Sequence, residues 1–109
     1  MPVFAKIEVN GSAGGDSAWV PLNQYQTPFN VAFGVTKAGT GDVEYKIQHT
    51  FDNVLANASA ASIFTHADVT AATGDADGNY AYPVAAIRCH VTAASGASTL
   101  QFYVRQAGY

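Results

Sequence analysis

The chain has 109 residues, of which 49% are hydrophobic and 12% are charged, and its formal net charge is −3 at pH 7. This length suits a single domain over residues 1–109 with one two-layer core, and the hydrophobic share excludes wholesale disorder. Five basic residues in a net-negative chain argue against a nucleic-acid partner and against binding to anionic membranes.

The low charge content is itself informative, because about 25% charged residues is typical of soluble domains. Most of the surface must consist of neutral polar and small side chains, which resist aggregation only weakly through charge. Two interpretations stay open: a component of a larger assembly, or a small polar β-domain that relies on neutral side chains.

The start of the sequence, MPVFAKIEVN, lacks the apolar stretch and cleavage pattern of a signal peptide, and no run approaches the ~18 apolar residues of a membrane span. The only cysteine, Cys89, falls on a predicted core face, where a buried and inert thiol is expected. We therefore expect the chain to fold in a reducing cytoplasm.

In chain order, the first predicted strand covers residues 3–9, where apolar and polar residues alternate. A Gly- and Ser-rich loop follows, and then a short extended piece at residues 19–22, because a residue that precedes proline favours β or polyproline II conformation.

Clean alternation returns at residues 29–35 and again at residues 42–51. Pairing Val35 with Val43 would bring Phe33 beside Tyr45 on one apolar face. The pattern predicts a hairpin with one buried side.

Residues 52–78 have weaker signals. Residues 61–65 predict a short strand with Phe64 as its anchor, and residues 68–72 predict a helical turn. Asp77-Gly78 is typical of a tight turn.

The strongest pattern lies in residues 79–106. If Ser95-Gly96 form a two-residue turn, two alternating runs pair as a hairpin. Arg88 then lies across from Tyr103 on the polar side. The predicted core side consists of Ile87, Cys89, Val91, Leu100, Phe102 and Val104. Taken together, the elements predict an all-β antiparallel sandwich, jelly-roll-like, built from hairpins and without substantial helix.

No motif indicates catalysis. The three histidines, His49, His66 and His90, lack the local spacing of a metal site, and residues 75–79 resemble a calcium loop only faintly. Nucleophile elbows, HExxH motifs and phosphate-binding loops do not occur. We expect no enzymatic activity, no metal and no cofactor.

Aromatic residues at predicted polar-face or loop positions are the main candidates for a contact surface, together with two nearby arginines. The alternatives are that these rings pack locally under the long loop and that the arginines lie on an ordinary solvated face. The candidate interface residues are Trp19, Tyr25, Tyr80, Tyr82, Arg88, Tyr103, Arg105 and Tyr109.

Several stretches resemble a group of small structural proteins of tailed bacteriophages. They include WVPL at residues 19–22, YKIQHTFD at 45–52, DGNYAYPVAAIR at 77–88 and TLQFYVRQAG at 99–108. The most specific are residues 48–52 and 82–88. The chain departs from the pattern at Ile63, where an aromatic residue is expected, and at Cys89-His90, where an apolar/polar pair is usual.

The resemblance implies a virion component, made in the host cytoplasm and located on the capsid surface. The function expected from it is capsid decoration, that is, cementing neighbouring subunits of the major capsid protein. Self-association as a dimer or trimer on the capsid is also expected. Two alternatives stay open: an assembly module of the tail, neck or fibre base, and a carbohydrate-binding sandwich that uses Trp19 and tyrosines as stacking platforms.

Overall fold

A computed structural model describes residues 3–10, 17–23, 25, 29–52, 62–95 and 98–106. None of these residues is helical. Within these ranges eight strands follow one another: β1 (Val3–Asn10), β2 (Val20–Pro21), β3 (Val31–Gly39), β4 (Asp42–Thr50), β5 (Ile63–Thr65), β6 (Ala76–Tyr80), β7 (Ala86–Ser95) and β8 (Ser98–Gln106).

The strands form two four-stranded antiparallel sheets that enclose a shared core. Sheet A has the order β1-β8-β3-β6 and sheet B has the order β2-β7-β4-β5. In this order β1 lies beside β8, β2 beside β7, β3 beside β6 and β4 beside β5. A long antiparallel ribbon with these pairs, rolled up so that β8 meets β3 and β7 meets β4, is a jelly roll. The predicted fold class, an all-β antiparallel sandwich of jelly-roll type without substantial helix, is confirmed for the described residues.

Both predicted hairpins are wrong in their pairing. β3 and β4 lie in different sheets, and so do β7 and β8. The neighbours in the plane are instead Val35 with Phe102 in sheet A and Ile47 with Cys89 in sheet B. A connection that crosses over the core from one sheet to the other turns the same apolar side chains inward as a hairpin within one sheet would. Alternation along a strand therefore predicts which side is buried but not which strand lies beside it.

The predicted core side of the last two strands is confirmed. Every one of its residues has no accessible surface, namely Ile87, Cys89, Val91, Leu100, Phe102 and Val104. Full burial of an aliphatic or aromatic side chain stabilises a fold by about 1.5–3 kcal/mol. Tyr45 is also fully buried. Its hydroxyl donates to the Gly74 carbonyl, and burial raises the pKa of Tyr45 to about 12.

The middle third of the chain differs from its prediction in three places. β5 exists as predicted, but Phe64 is 49% exposed and is not a core anchor. Residues 68–72 form no helical turn; their chain is irregular and ends in a bridge between Ala72 and Tyr45. Asp77-Gly78 lies inside β6 rather than in a turn. Gly78 is needed there because a Cβ would lie 2.8 Å from Cζ of Phe33.

The segment at residues 17–23 is held to both sheets by polar contacts. The Ser17 hydroxyl accepts the Cys89 N–H at 2.9 Å, and the Ser17 N–H donates to the Cys89 carbonyl. The buried Gln106 side chain accepts the Asn23 N–H and donates to the Asn23 carbonyl. These bonds satisfy buried polar groups and keep the short strand β2 beside β7.

Candidate protein-binding surface

Three large aromatic side chains remain about half exposed at one end of the sandwich. Phe51 is 54% exposed, Phe64 is 49% exposed and Tyr82 is 48% exposed. Phe51 follows β4, Phe64 lies in the edge strand β5, and Tyr82 follows β6. We call these three residues the aromatic patch.

The rings of the patch gather around one buried histidine. The ring centroid of His49 lies 5.6 Å from Phe51, 5.8 Å from Phe64 and 5.9 Å from Tyr82. Phe51 and Phe64 are also 5.5 Å apart. These separations lie in the range of favourable aromatic pairs, so the rings support one another.

The strand pattern explains why the rings meet. Side chains on one face of a strand recur every second residue, and the inward stripe of β4 runs through Ile47 and His49 to Phe51. In the register of β4 and β5, His49 is paired with Phe64. The stripe thus continues past the enclosed core and ends in rings that are open to solvent.

His49 itself is held by a buried hydrogen bond. Its Nδ1 lies 2.8 Å from the hydroxyl of Tyr80, and it is only 5% exposed. Burial, with a smaller contribution from nearby His66, lowers the pKa of His49 below 6.5. Burial also raises the pKa of the Tyr80 hydroxyl, which therefore keeps its proton.

A second histidine, His66, also packs against Tyr80. The ring centroid of His66 is 4.7 Å from Tyr80 and 5.0 Å from Phe33. Its Nδ1 accepts the N–H of Asp68, and its Nε2 lies 2.9 Å from the carbonyl oxygen of Asn79. The proton must therefore be on Nε2, and both ring nitrogens are used structurally.

The predicted interface residues fall into several groups. Tyr82 belongs to the aromatic patch. The exposed position predicted for Tyr80 is wrong, because β6 turns its ring inward to His49 and leaves it with no accessible surface. Tyr25 is 85% exposed in a turn, where its N–H donates to the Asn23 side chain. Tyr109 lies outside the described residues.

Arg88 and Tyr103 do not form a common patch, contrary to the sequence prediction. Because β7 and β8 belong to different sheets, their outward side chains lie on opposite faces of the molecule. On sheet B, Arg88 stacks over the half-buried ring of Trp19 at 4.5 Å and donates to Gln48 at 2.8 Å.

On sheet A, aromatic and basic residues alternate across β1 and β8. Arg105 lies 4.9 Å from the ring of Phe4, and the Lys6 ammonium lies 5.5 Å from the ring of Tyr103. Phe4 is 62% exposed. This face therefore presents rings with a cation above each one.

Next to Tyr103 the outer face of sheet A has a shallow groove of about 350 Å³. Its floor is Gly34, and Tyr103 and Asp77 line its two sides. No atom would lie closer than 3.9 Å to a Cβ at Gly34, and the φ of Gly34 is not positive. Neither packing nor backbone conformation requires glycine at this position. We call this depression the sheet A groove.

Phe51, Phe64 and Gly34 were missed as surface candidates by sequence reasoning. The signal for Phe51 was present, since it extends the stripe of β4 by one more step. Phe64 was misassigned because a lone phenylalanine in a short strand is typical of a core anchor. The role of Gly34 depends on the neighbours of β3, which alternation does not predict.

Nowhere in the described ranges do three or more His, Cys, Asp or Glu side chains converge as a metal site requires. The same ranges contain no helix of the length and hydrophobicity needed to cross a lipid bilayer. No protein-family model matches the chain, and no curated protein is significantly similar to it in sequence. The resemblance to phage structural proteins therefore stays a prediction.

Proposed function

We propose that this protein is a capsid decoration protein of a tailed bacteriophage, which binds the outer head surface and stabilises contacts between neighbouring major capsid subunits. The observation that carries the proposal is the aromatic patch: three preformed, half-exposed rings on a domain with few charges. Phenylalanine and tyrosine side chains are enriched at the cores of protein–protein interfaces.

The patch is suited to contact with a protein. Burying the exposed halves of the three rings would contribute on the order of 2–4 kcal/mol of binding free energy. Because all three rings pack against His49, and Phe51 also packs against Phe64, little side-chain entropy is lost on binding. A modest contact repeated over many copies would add up to substantial stabilisation of a shell.

Composition, sequence and fold also support the proposal. The low charge content suits a surface that is covered in an assembly, and the sequence resembles small phage structural proteins over residues 19–108. The jelly roll also occurs in viral capsid domains, although this is an analogy of fold and not of site.

The test uses phage particles that lack the protein, with and without purified protein added back. We expect the decorated particles to survive heating or osmotic shock better than the bare ones, because the added contacts oppose internal pressure. Equal survival would contradict the stabilising role. Copy number per particle distinguishes the tail alternative, since the head has many equivalent sites and the tail only a few.

Carbohydrate binding is a second candidate function, and the sheet A groove favours it. A glycine within a strand often marks a place where a ligand approaches the backbone closely. Here the Tyr103 ring can stack on a sugar ring, and the Asp77 carboxylate can accept hydrogen bonds from hydroxyl groups. Trp19 is a poorer platform, because the Arg88 guanidinium stacks over its ring at 4.5 Å. The Lys6 ammonium lies further from the Tyr103 ring, at 5.5 Å.

A glycan-array screen tests this second candidate with three proteins. Binding by the wild type and by Trp19→Ala, but not by Gly34→Leu, would support the groove, because leucine at residue 34 fills its floor. If the wild type binds no glycan, carbohydrate binding is excluded for the set tested. Retained binding by Gly34→Leu would show that the carbohydrate site is not the sheet A groove.

A further inference from the structure

One long strand edge of the molecule has no partner among the described residues. β1 is the outermost strand of sheet A and pairs with β8 over its whole length, from Val3 opposite Gln106 to Asn10 opposite Thr99. Its register is continuous, so no bulge turns this edge away. An edge with these properties is a template on which another strand can pair.

The other three edge strands are poorer templates. β2 has two residues and β5 has three. β6 has five and includes Gly78, which weakens a strand. A partner strand would therefore form more backbone hydrogen bonds at the β1 edge than at any of these three edges.

We propose that β1 pairs antiparallel with β1 of a second copy, so that Ile7 of one copy lies opposite Ile7 of the other. The two sheets A then form one continuous eight-stranded sheet around a twofold axis. This inference does not rest on the proposed capsid role, since the aromatic patch belongs to the β4, β5 and β6 end of the molecule.

Charge complementarity selects this register. Lys6 and Glu8 point to the outer face of sheet A, where Lys6 lies over the ring of Tyr103 and Glu8 accepts a hydrogen bond from Gln101. With Ile7 at the axis, Lys6 of each copy lies opposite Glu8 of the other. The neighbouring registers that keep both cores on one side pair Lys6 with Lys6 or Glu8 with Glu8, which is repulsive.

Apolar contact adds to the pairing on the inner face. Ala5 and Ile7 are partly buried and pack against the core. Contact between the two Ile7 side chains at the axis would remove more of their apolar surface from water. An isologous contact of this kind closes on itself, so it yields a dimer and not a fibre.

Cysteine cross-linking tests the register. Lys6→Cys and Glu8→Cys are purified separately, mixed under reducing conditions and then oxidised. Directly opposite residues have Cα atoms about 4.5–5.5 Å apart, which a disulfide can span. We expect a covalent dimer in the mixture only. Within each variant alone the two cysteines are diagonal neighbours at about 7–8 Å, beyond disulfide reach. Cys89 is fully buried and does not compete.

Charge reversal provides a second, independent measurement by sedimentation. Lys6→Glu or Glu8→Lys alone should raise the dimer dissociation constant about tenfold, because two attractive pairs become repulsive. The double variant Lys6→Glu/Glu8→Lys should restore the wild-type value. A wild-type protein that stays monomeric at its highest soluble concentration would overturn the proposal. Equal cross-linking in the single-variant samples, or no rescue by the double variant, would do the same.

Discussion

The inward stripe of β4 has two parts that differ in their surroundings. Tyr45 and Ile47 are fully buried between the sheets, whereas Phe51, a few residues further on, is 54% exposed. His49 lies between these parts and contacts both the buried Tyr80 and the exposed rings. Along this stripe, the same alternation therefore places the earlier side chains in the core and the last one, Phe51, at the surface. We infer that the buried part stabilises the fold and that the open end is available for binding.

The largest effect on stability should come from the buried part. Ile47→Ala removes three carbon atoms from a side chain with no accessible surface, and we expect the free energy of unfolding to fall by about 2–5 kcal/mol. Phe51→Ala is the comparison at the open end and should cost about 1 kcal/mol or less. Chemical denaturation of both variants measures the difference. Equal losses would contradict the division of the stripe.

Two glycines in neighbouring strands allow a matched comparison of packing. Gly78→Ala places a Cβ 2.8 Å from the Phe33 ring, and this overpacking should destabilise the fold by about 1–3 kcal/mol. Gly34→Ala meets nothing closer than 3.9 Å and should stabilise the strand by about 0.5–1 kcal/mol. Thermal denaturation measures both. A destabilised Gly34→Ala variant would mean that Gly34 is glycine for a structural reason, which would weaken the case for the sheet A groove.

A smaller effect should depend on pH at the boundary between the two parts. Because folding lowers the pKa of His49 below 6.5, His49 becomes protonated at a higher pH in the unfolded chain than in the folded protein. Stability from this group is therefore present above about pH 6.5 and decreases as the pH falls toward the folded pKa. Denaturation at about pH 7.5 and 5.5 should show a smaller drop for His49→Gln than for the wild type. An equal drop would show that other groups cause it.

The buried face of each strand could be predicted from the sequence, but the neighbours of each strand in the sheet could not. Period-two alternation correctly predicted that Ile87, Cys89, Val91, Leu100, Phe102 and Val104 face the core. It could not predict that β7 and β8 lie in different sheets, because a hairpin and an arch bury the same side chains. The predicted hairpin therefore placed Arg88 beside Tyr103, whereas in the structure the two residues lie in different sheets. No local sequence pattern could have revealed this separation.

The structure of the middle of the chain was harder to predict from the sequence for a related reason. Asp77-Gly78 has the composition of a tight turn, but here the glycine makes room for the Phe33 ring of the adjacent strand. Tyr80 was predicted to be exposed. In the structure β6 lies beside β3, and the Tyr80 hydroxyl is hydrogen-bonded to His49. In each case a contact between distant segments overrides a local preference.

In our proposal the aromatic patch binds a partner and contributes little to the stability of the fold. The most direct test measures the binding of a Phe51→Ser/Phe64→Ser variant to undecorated phage heads. Phe4→Ser serves as the control, because it removes a ring that is 62% exposed on the other sheet. We predict that the patch variant folds but no longer binds, while Phe4→Ser binds like the wild type. Normal binding by the patch variant would contradict the account.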